Sequence, residues 1–183
     1  KILKRTFLIL CIGWAIGWFD HVCEGDFLPF VHLRIPGVLQ RIALCYCVIS
    51  FTALFMNHKF IPTLTFILLV SYTVILCMGN GYTCDESNIL SIIDRHLFGE
   101  AHLYQKSPID PEGFVSTLSA IAHTCIGFSC GKWIIQSHQT ENKVLRLFLT
   151  GFILMSIGYL LADALPLNKR IWSPTFVLVT CGA

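Results

Sequence analysis

The stretch FIPTLTFILLVSYTVILCMG, residues 60–79, decides the fold class. It contains no charged residue and no histidine. As a helix rising 1.5 Å per residue, it crosses the ~30 Å hydrocarbon core of a bilayer. Outward from it, further apolar runs cover 2–19, 35–56, 111–135 and 144–164, and another starts near Pro174. Hydrophobic residues make up 55% of the chain and charged residues 13%. A soluble domain carries roughly 25% charged residues. A chain of 183 residues cannot hide this much apolar surface from water, so part of its solvent is lipid. The sequence predicts an all-α, polytopic transmembrane bundle of about six spans.

The chain starts at Lys1 rather than Met, and an apolar run is still open at 177–183. We read 1–183 as part of a single, longer membrane domain. The net charge of +2, with no Lys/Arg-rich tract, gives no support for a nucleic-acid partner.

The charges sort by side. Lys1, Lys4, Arg5, Lys59, Lys132, Lys143 and Arg146 fall at one end of the spans. Arg34, Arg41, Arg95, Lys106, Lys169 and Arg170 fall at the other, so the basic residues alone do not orient the chain. Only Glu141 joins the first group, whereas Asp20, Glu24, Asp26, Asp85, Glu86, Asp94, Glu100, Asp110, Glu112 and Asp163 join the second. We read the second side as an outer, functional polar surface and the first as cytoplasmic. The absence of an Asn-x-Ser/Thr sequon adds weak support for a bacterial inner membrane.

The outer segment 80–109 is too long for a simple connection. Within it, 88–98 alternates Ile89, Leu90, Ile92, Ile93 and Leu97 with polar residues, as a short amphipathic helix over the outer mouth would.

Three outer segments share a helix-start design: Arg34-Ile35-Pro36-Gly37, Asp110-Pro111-Glu112-Gly113 and Trp172-Ser173-Pro174. Proline suits the first helical position, and Asp110 and Ser173 suit the N-cap. Three helix N-termini that converge would favour negative charge developing on a thioester oxygen. Plain capping accounts equally for Asp110 and Ser173. Arg34 and Arg41 lie seven apart on one helix and so share a face. Arg41 then sits inside the span and needs a partner, with Asp94 or Glu112 as candidates. A structural ion pair remains the alternative.

His123 falls inside a span, as either a functional group or a packed side chain; His32, His96 and His102 fall on the outer side. Gly13/Gly17 and Gly127/Gly131 have helix-packing spacing. Of the nine cysteines, only Cys23 and Cys84 fall in loops, where they could pair in an oxidising compartment. No zinc-binding spacing, P-loop, Gly-x-Ser-x-Gly or His-Glu-x-x-His is present, and no metal site is expected.

Taken in order, Arg34-Ile35-Pro36-Gly37-Val38-Leu39-Gln40-Arg41-Ile42, Gly81-Tyr82-Thr83, Ile93-Asp94-Arg95, His102-Leu103-Tyr104, Asp110-Pro111-Glu112-Gly113 and Asn168-Lys169-Arg170-Ile171-Trp172-Ser173 resemble the heparan-α-glucosaminide N-acetyltransferase family and its bacterial relatives. The resemblance implies a polytopic acyltransferase with more helices than this chain carries. It takes acetyl-coenzyme A from the cytosolic side and acetylates a glucosamine amine on the far side. It also implies a catalytic histidine and an Asp-x-x-Arg-Gly element in segments that precede these residues. His96 and His123 lie outside the pattern.

On this reading Glu112, Asp110 and His102 are the catalytic candidates. Glu112 or Asp110 would hold the amine. Arg34, Arg41, Asp94, Arg95, Tyr104, Asn168 and Trp172 would bind substrate, with Tyr104 and Trp172 stacking on the sugar. Lys132 and Arg146 would hold coenzyme A phosphates, although ordinary topology signal explains such residues as well. The expected partners are the lipid bilayer and an amino-sugar or glycan acceptor, and a homodimer stays open. The alternative function is an amino-sugar permease.

Overall fold

The computed structural model describes every residue except Asp26–Pro29, His32, Gln105, Lys106 and Ser137–Gln139. The expectations for Asp26, His32 and Lys106 lie outside the described residues. The described chain is all helical: α1 (Ile2–Cys23), α2 (Val38–Phe55), α3 (Ile61–Met78), α4 (Ile89–Phe98), α5 (Thr117–Gln136), α6 (Thr140–Leu160) and α7 (Pro174–Gly182), with short 3-10 turns at His58–Phe60 and Glu100–His102.

Five of these segments are long and apolar enough to cross a membrane: α1, α2, α3 with its preceding turn, α5 and α6. The run from Pro174 forms α7, a nine-residue helix. Phe55, Met78, Ile135 and Leu160 are each at least 80% exposed. The apolar side chains of α1 and α6 face outward almost throughout, with only Thr6 and Gly158 buried. In water such a surface would drive aggregation; against lipid it is the solvated face.

Two boundaries depart from the sequence reading. Helix α2 starts at Val38, after Pro36, so Arg34 is not helical and does not share a helix face with Arg41. The residue before a proline is disfavoured in the α region, and Ile35 lies in a bend ahead of the helix. Residues 111–116 form turns, and α5 starts only at Thr117. Asp110 therefore does not cap a helix beginning at Pro111. At α7 the expectation holds: Ser173 Oγ accepts from the Phe176 N–H and Pro174 opens the helix.

Helices α1 and α2 pack antiparallel through Gly13, where a Cβ would lie 2.7 Å from Gln40 Nε2. A Cβ at Gly127 or Gly131 would meet nothing within 4 Å, so that glycine pair packs no helix among the described residues. A second close helix approach is one the spacing did not single out. A Cβ on Gly151 of α6 would lie 2.7 Å from the Gly182 carbonyl of α7.

The amphipathic helix is present as α4. Its N-cap Asn88 is fully satisfied: Oδ1 accepts from Leu90 N–H, and Nδ2 donates to the Gly81 and Thr83 carbonyls. Leu90 enters a core with Tyr72, Leu76, Ile109, Val115 and Ile171, which roots α4 on α3 and on the segments before α5 and α7. The Tyr72 hydroxyl donates to the Ile171 carbonyl at the same end of the bundle. All nine cysteines are free; Cys84 Sγ faces Arg170 rather than Cys23.

Candidate active site

The charged residues of 34–41 and 110–116 meet at one end of the bundle. Asp110 organises the contact. Its side chain is fully buried. It accepts Nε and Nη2 of Arg34, the Tyr104 N–H at 2.9 Å and the Glu112 N–H at 2.9 Å. Asp110 thus closes a turn on its own backbone two residues ahead, as Asp commonly does. Arg34 Nη2 also reaches Glu112 Oε2. Burial pulls the Arg34 pKa down, but the bonds to Asp110 and Glu112 outweigh it and hold the pKa above its ordinary value. Glu112 Oε1 has no hydrogen bond among the described residues.

Arg41 is 94% removed from solvent, its residue being 6% exposed. It forms no salt bridge with Asp94 or Glu112, contrary to the sequence expectation. Because both carboxylates of the 110–112 turn face Arg34, Arg41 meets backbone instead. Its Nη2 donates to the Pro111 carbonyl at 2.8 Å and also contacts Ser116 Oγ. Its Nε and Nη1 have no partner among the described residues. Unpaired buried donors of a charged group are costly, and each calls for an explanation.

Each aromatic ring assigned to sugar stacking already carries an arginine. Arg34 Cζ lies 4.9 Å from the Tyr104 ring centroid, and Arg41 Cζ lies 5.0 Å from that of Trp172. Both are cation–π distances. Trp172 adopts φ 53°, a left-handed conformation unusual for a bulky residue. His123 of α5 packs 6.0 Å from Trp172, and neither its Nδ1 nor Trp172 Nε1 has a partner among the described residues. The starts of α2, α5 and α7 therefore do converge, around Arg41 and Trp172.

Other candidates hold the frame. His102 Nδ1 lies 2.8 Å from the Leu33 carbonyl, which requires that nitrogen to be the donor and leaves Nε2 as the acceptor of the neutral ring. The Ile35 N–H returns a bond to the His102 carbonyl. Asn168 Oδ1 accepts from Arg170 N–H, and Ser173 Oγ accepts from Asn168 N–H, closing the turn before α7. Arg95 pairs with Glu86 and Glu100 at the surface. Lys132 and Arg146 make no salt bridge among the described residues and are not joined to this cluster.

Asp94 is buried in α4, and its Oδ1 accepts from the Phe114 N–H at 2.8 Å. Its Oδ2 has no partner among the described residues and lies against Gly113, where a Cβ would collide with it. Burial, with help from Asp110, raises its pKa from 3.8 to about 6, against the opposing Phe114 bond and Arg41. The folded protein therefore holds this proton more tightly than the unfolded chain. The resulting stability is full below about pH 4 and is lost as the pH rises through about 6. Asp94→Asn keeps an oxygen for Phe114 and never ionises. It should melt near wild type at pH 4 and above wild type at pH 7.5; equal melting temperatures at pH 7.5 would refute the assignment.

Sequence reading missed Ser116 and Tyr72. Ser116 carries no signal in an apolar run. A tyrosine inside a span does, because its hydroxyl needs a partner.

These features define a polytopic, helical integral membrane protein with a charged cluster at one end of its bundle. No family model matches the chain. Over 97% of its length, it is 26% identical to heparan-alpha-glucosaminide N-acetyltransferase of mouse and 27% identical to that of human. It spans 35% of each relative's length.

Proposed function

We propose that the whole protein carrying this chain transfers an acetyl group from acetyl-coenzyme A on the Lys59 side to a glucosamine-type amine on the Arg34 side. An inner-membrane setting with a cytosolic donor belongs to the same proposal. The observation that carries it is Arg41: a buried guanidinium at the junction of three helix starts, with two of its nitrogens unpaired among the described residues, beside the Arg34–Glu112 pair. Acyl transfer to an amine builds negative charge on the thioester oxygen, and fixed donors in a dry site stabilise it most. Glu112, with Oε1 uncommitted, supports a role as the amine's hydrogen-bond partner and base. Asp110 is engaged by Arg34 and serves as the orienting group. His102, Asp94 and Tyr104 contribute from the outer wall. Lys132 and Arg146 on the opposite side remain proposed contacts for the donor's phosphates.

The test uses the full-length protein in liposomes, with labelled acetyl-coenzyme A outside and glucosamine inside. Labelled N-acetylglucosamine in the lumen is expected, and Glu112→Gln should lower its rate. Counterflow of unmodified sugar without acetylation would replace the enzyme by a permease.

A further inference from the structure

Arg34 and Arg41 are held in different ways. Arg34 sets Nε and Nη2 against the Asp110 carboxylate, and that two-point contact fixes the plane of its guanidinium. Arg41 has no such fork. Its hydrogen bonds among the described residues all leave from Nη2, to the Pro111 and Gly113 carbonyls and to Ser116 Oγ. A guanidinium held at one nitrogen needs a second contact to fix its plane, and with it the directions of Nε and Nη1. The contact present is the Trp172 ring, whose centroid lies 5.0 Å from Arg41 Cζ.

Trp172 reaches that place through an unfavourable backbone conformation. Its φ of 53° is an outlier for a bulky residue, and such strain persists only where the surroundings over-determine it. Both of its neighbours are pinned. The carbonyl of the buried Ile171 accepts from the Tyr72 hydroxyl. Ser173 donates its N–H to the Asn168 carbonyl at 3.0 Å, and its Oγ caps α7. The indole itself is flanked by Phe176, edge-on at 5.5 Å, and by His123 at 6.0 Å. The turn, α5 and α7 thus fix the ring, and the ring lies against Arg41.

We propose that Trp172 is a positioning residue, whose indole fixes the plane of the Arg41 guanidinium and so aims Nε and Nη1 for the reaction. The inference rests on the acyl-transfer reading, and it replaces sugar stacking as the role of this tryptophan.

Two readouts on the full-length protein test it. In the liposome assay, Trp172→Leu should lower kcat about 100-fold with little change in KM, the scale of loss from a small misplacement of a catalytic group. Trp172→Phe keeps a smaller ring and should recover part of the rate; it is also the variant to use should Trp172→Leu fail to fold. In an Arg41→Ala background there is nothing left to position, so Trp172→Leu should cost no further rate. The second readout is NMR relaxation of the Arg41 Nε–H group in arginine-labelled, purified protein, with the signal assigned by its loss in Arg41→Lys. That group should be rigid in wild type and mobile in Trp172→Leu, whether or not the protein transfers acetyl. Equal rigidity in the two overturns the proposal. So does a raised KM at unchanged kcat, which a sugar-stacking ring would give, or an equal rate loss in the Arg41→Ala background; each of these leaves acetyl transfer standing. No transfer by wild type, but a group that Trp172→Leu mobilises, supports the positioning of Arg41 and removes the transfer reading. No transfer and equal rigidity overturn both.

Discussion

Arg41→Ala should reduce kcat for acetyl transfer by about 100- to 1000-fold while changing KM little, the loss typical of removing one oxyanion donor. The expectation follows from where the guanidinium is and what it lacks. Arg41 sits in the first turn of α2, is held by the Pro111 carbonyl and Ser116, and stacks on Trp172. Its Nε and Nη1 remain unpaired among the described residues. A purely structural arginine would spend all its donors on the fold. Arg41→Lys retains a charge but not the planar fork, so it should recover only part of the rate. Initial rates in liposomes, with thermal unfolding measured on the same samples, separate a catalytic loss from a folding loss. An unchanged kcat in a folded Arg41→Ala protein would remove this residue from the site.

Arg34→Ala should act on stability instead, at about 3–5 kcal/mol, the cost of stripping one partner from a buried ion pair. Asp110 is the reason. Its carboxylate is fully buried and would be left with only the Tyr104 and Glu112 N–H groups. The same change frees Glu112 and releases the loop that reaches from Asp110 to the start of α5. Adding Asp110→Asn to Arg34→Ala should restore most of the lost melting temperature, because the amide needs no counter-ion. If the double variant melts no higher than Arg34→Ala, the pair is not what holds the loop.

How much of this was legible differs between the elements. Residues 60–79 announce their span because backbone polar groups inside lipid must be satisfied within one helix, which leaves composition and length to decide. The amphipathic α4, its Asn88 cap and the Ser173-Pro174 start of α7 are equally local. They depend on side chains a few residues apart. The order of the polar motifs carried the resemblance to the acetyltransferase relatives.

Pairing among those motifs was not legible. Arg34 and Arg41 looked like equals on one helix face, but the proline between them keeps Arg34 outside the helix. The 110–112 turn then gives both carboxylates to Arg34. Arg41 is left with carbonyls, a hydroxyl and an indole from segments about 70 to 130 residues away. The helix that Asp110-Pro111 promised begins at Thr117 because Asp110 is spent on a turn and an arginine. The sequence by itself thus determined a helical membrane protein with a polar end, because burial in lipid is set by local hydrophobicity. Only the tertiary structure decided which arginine is neutralised and which keeps unpaired donors, because charge pairing depends on distances between segments that no local pattern encodes.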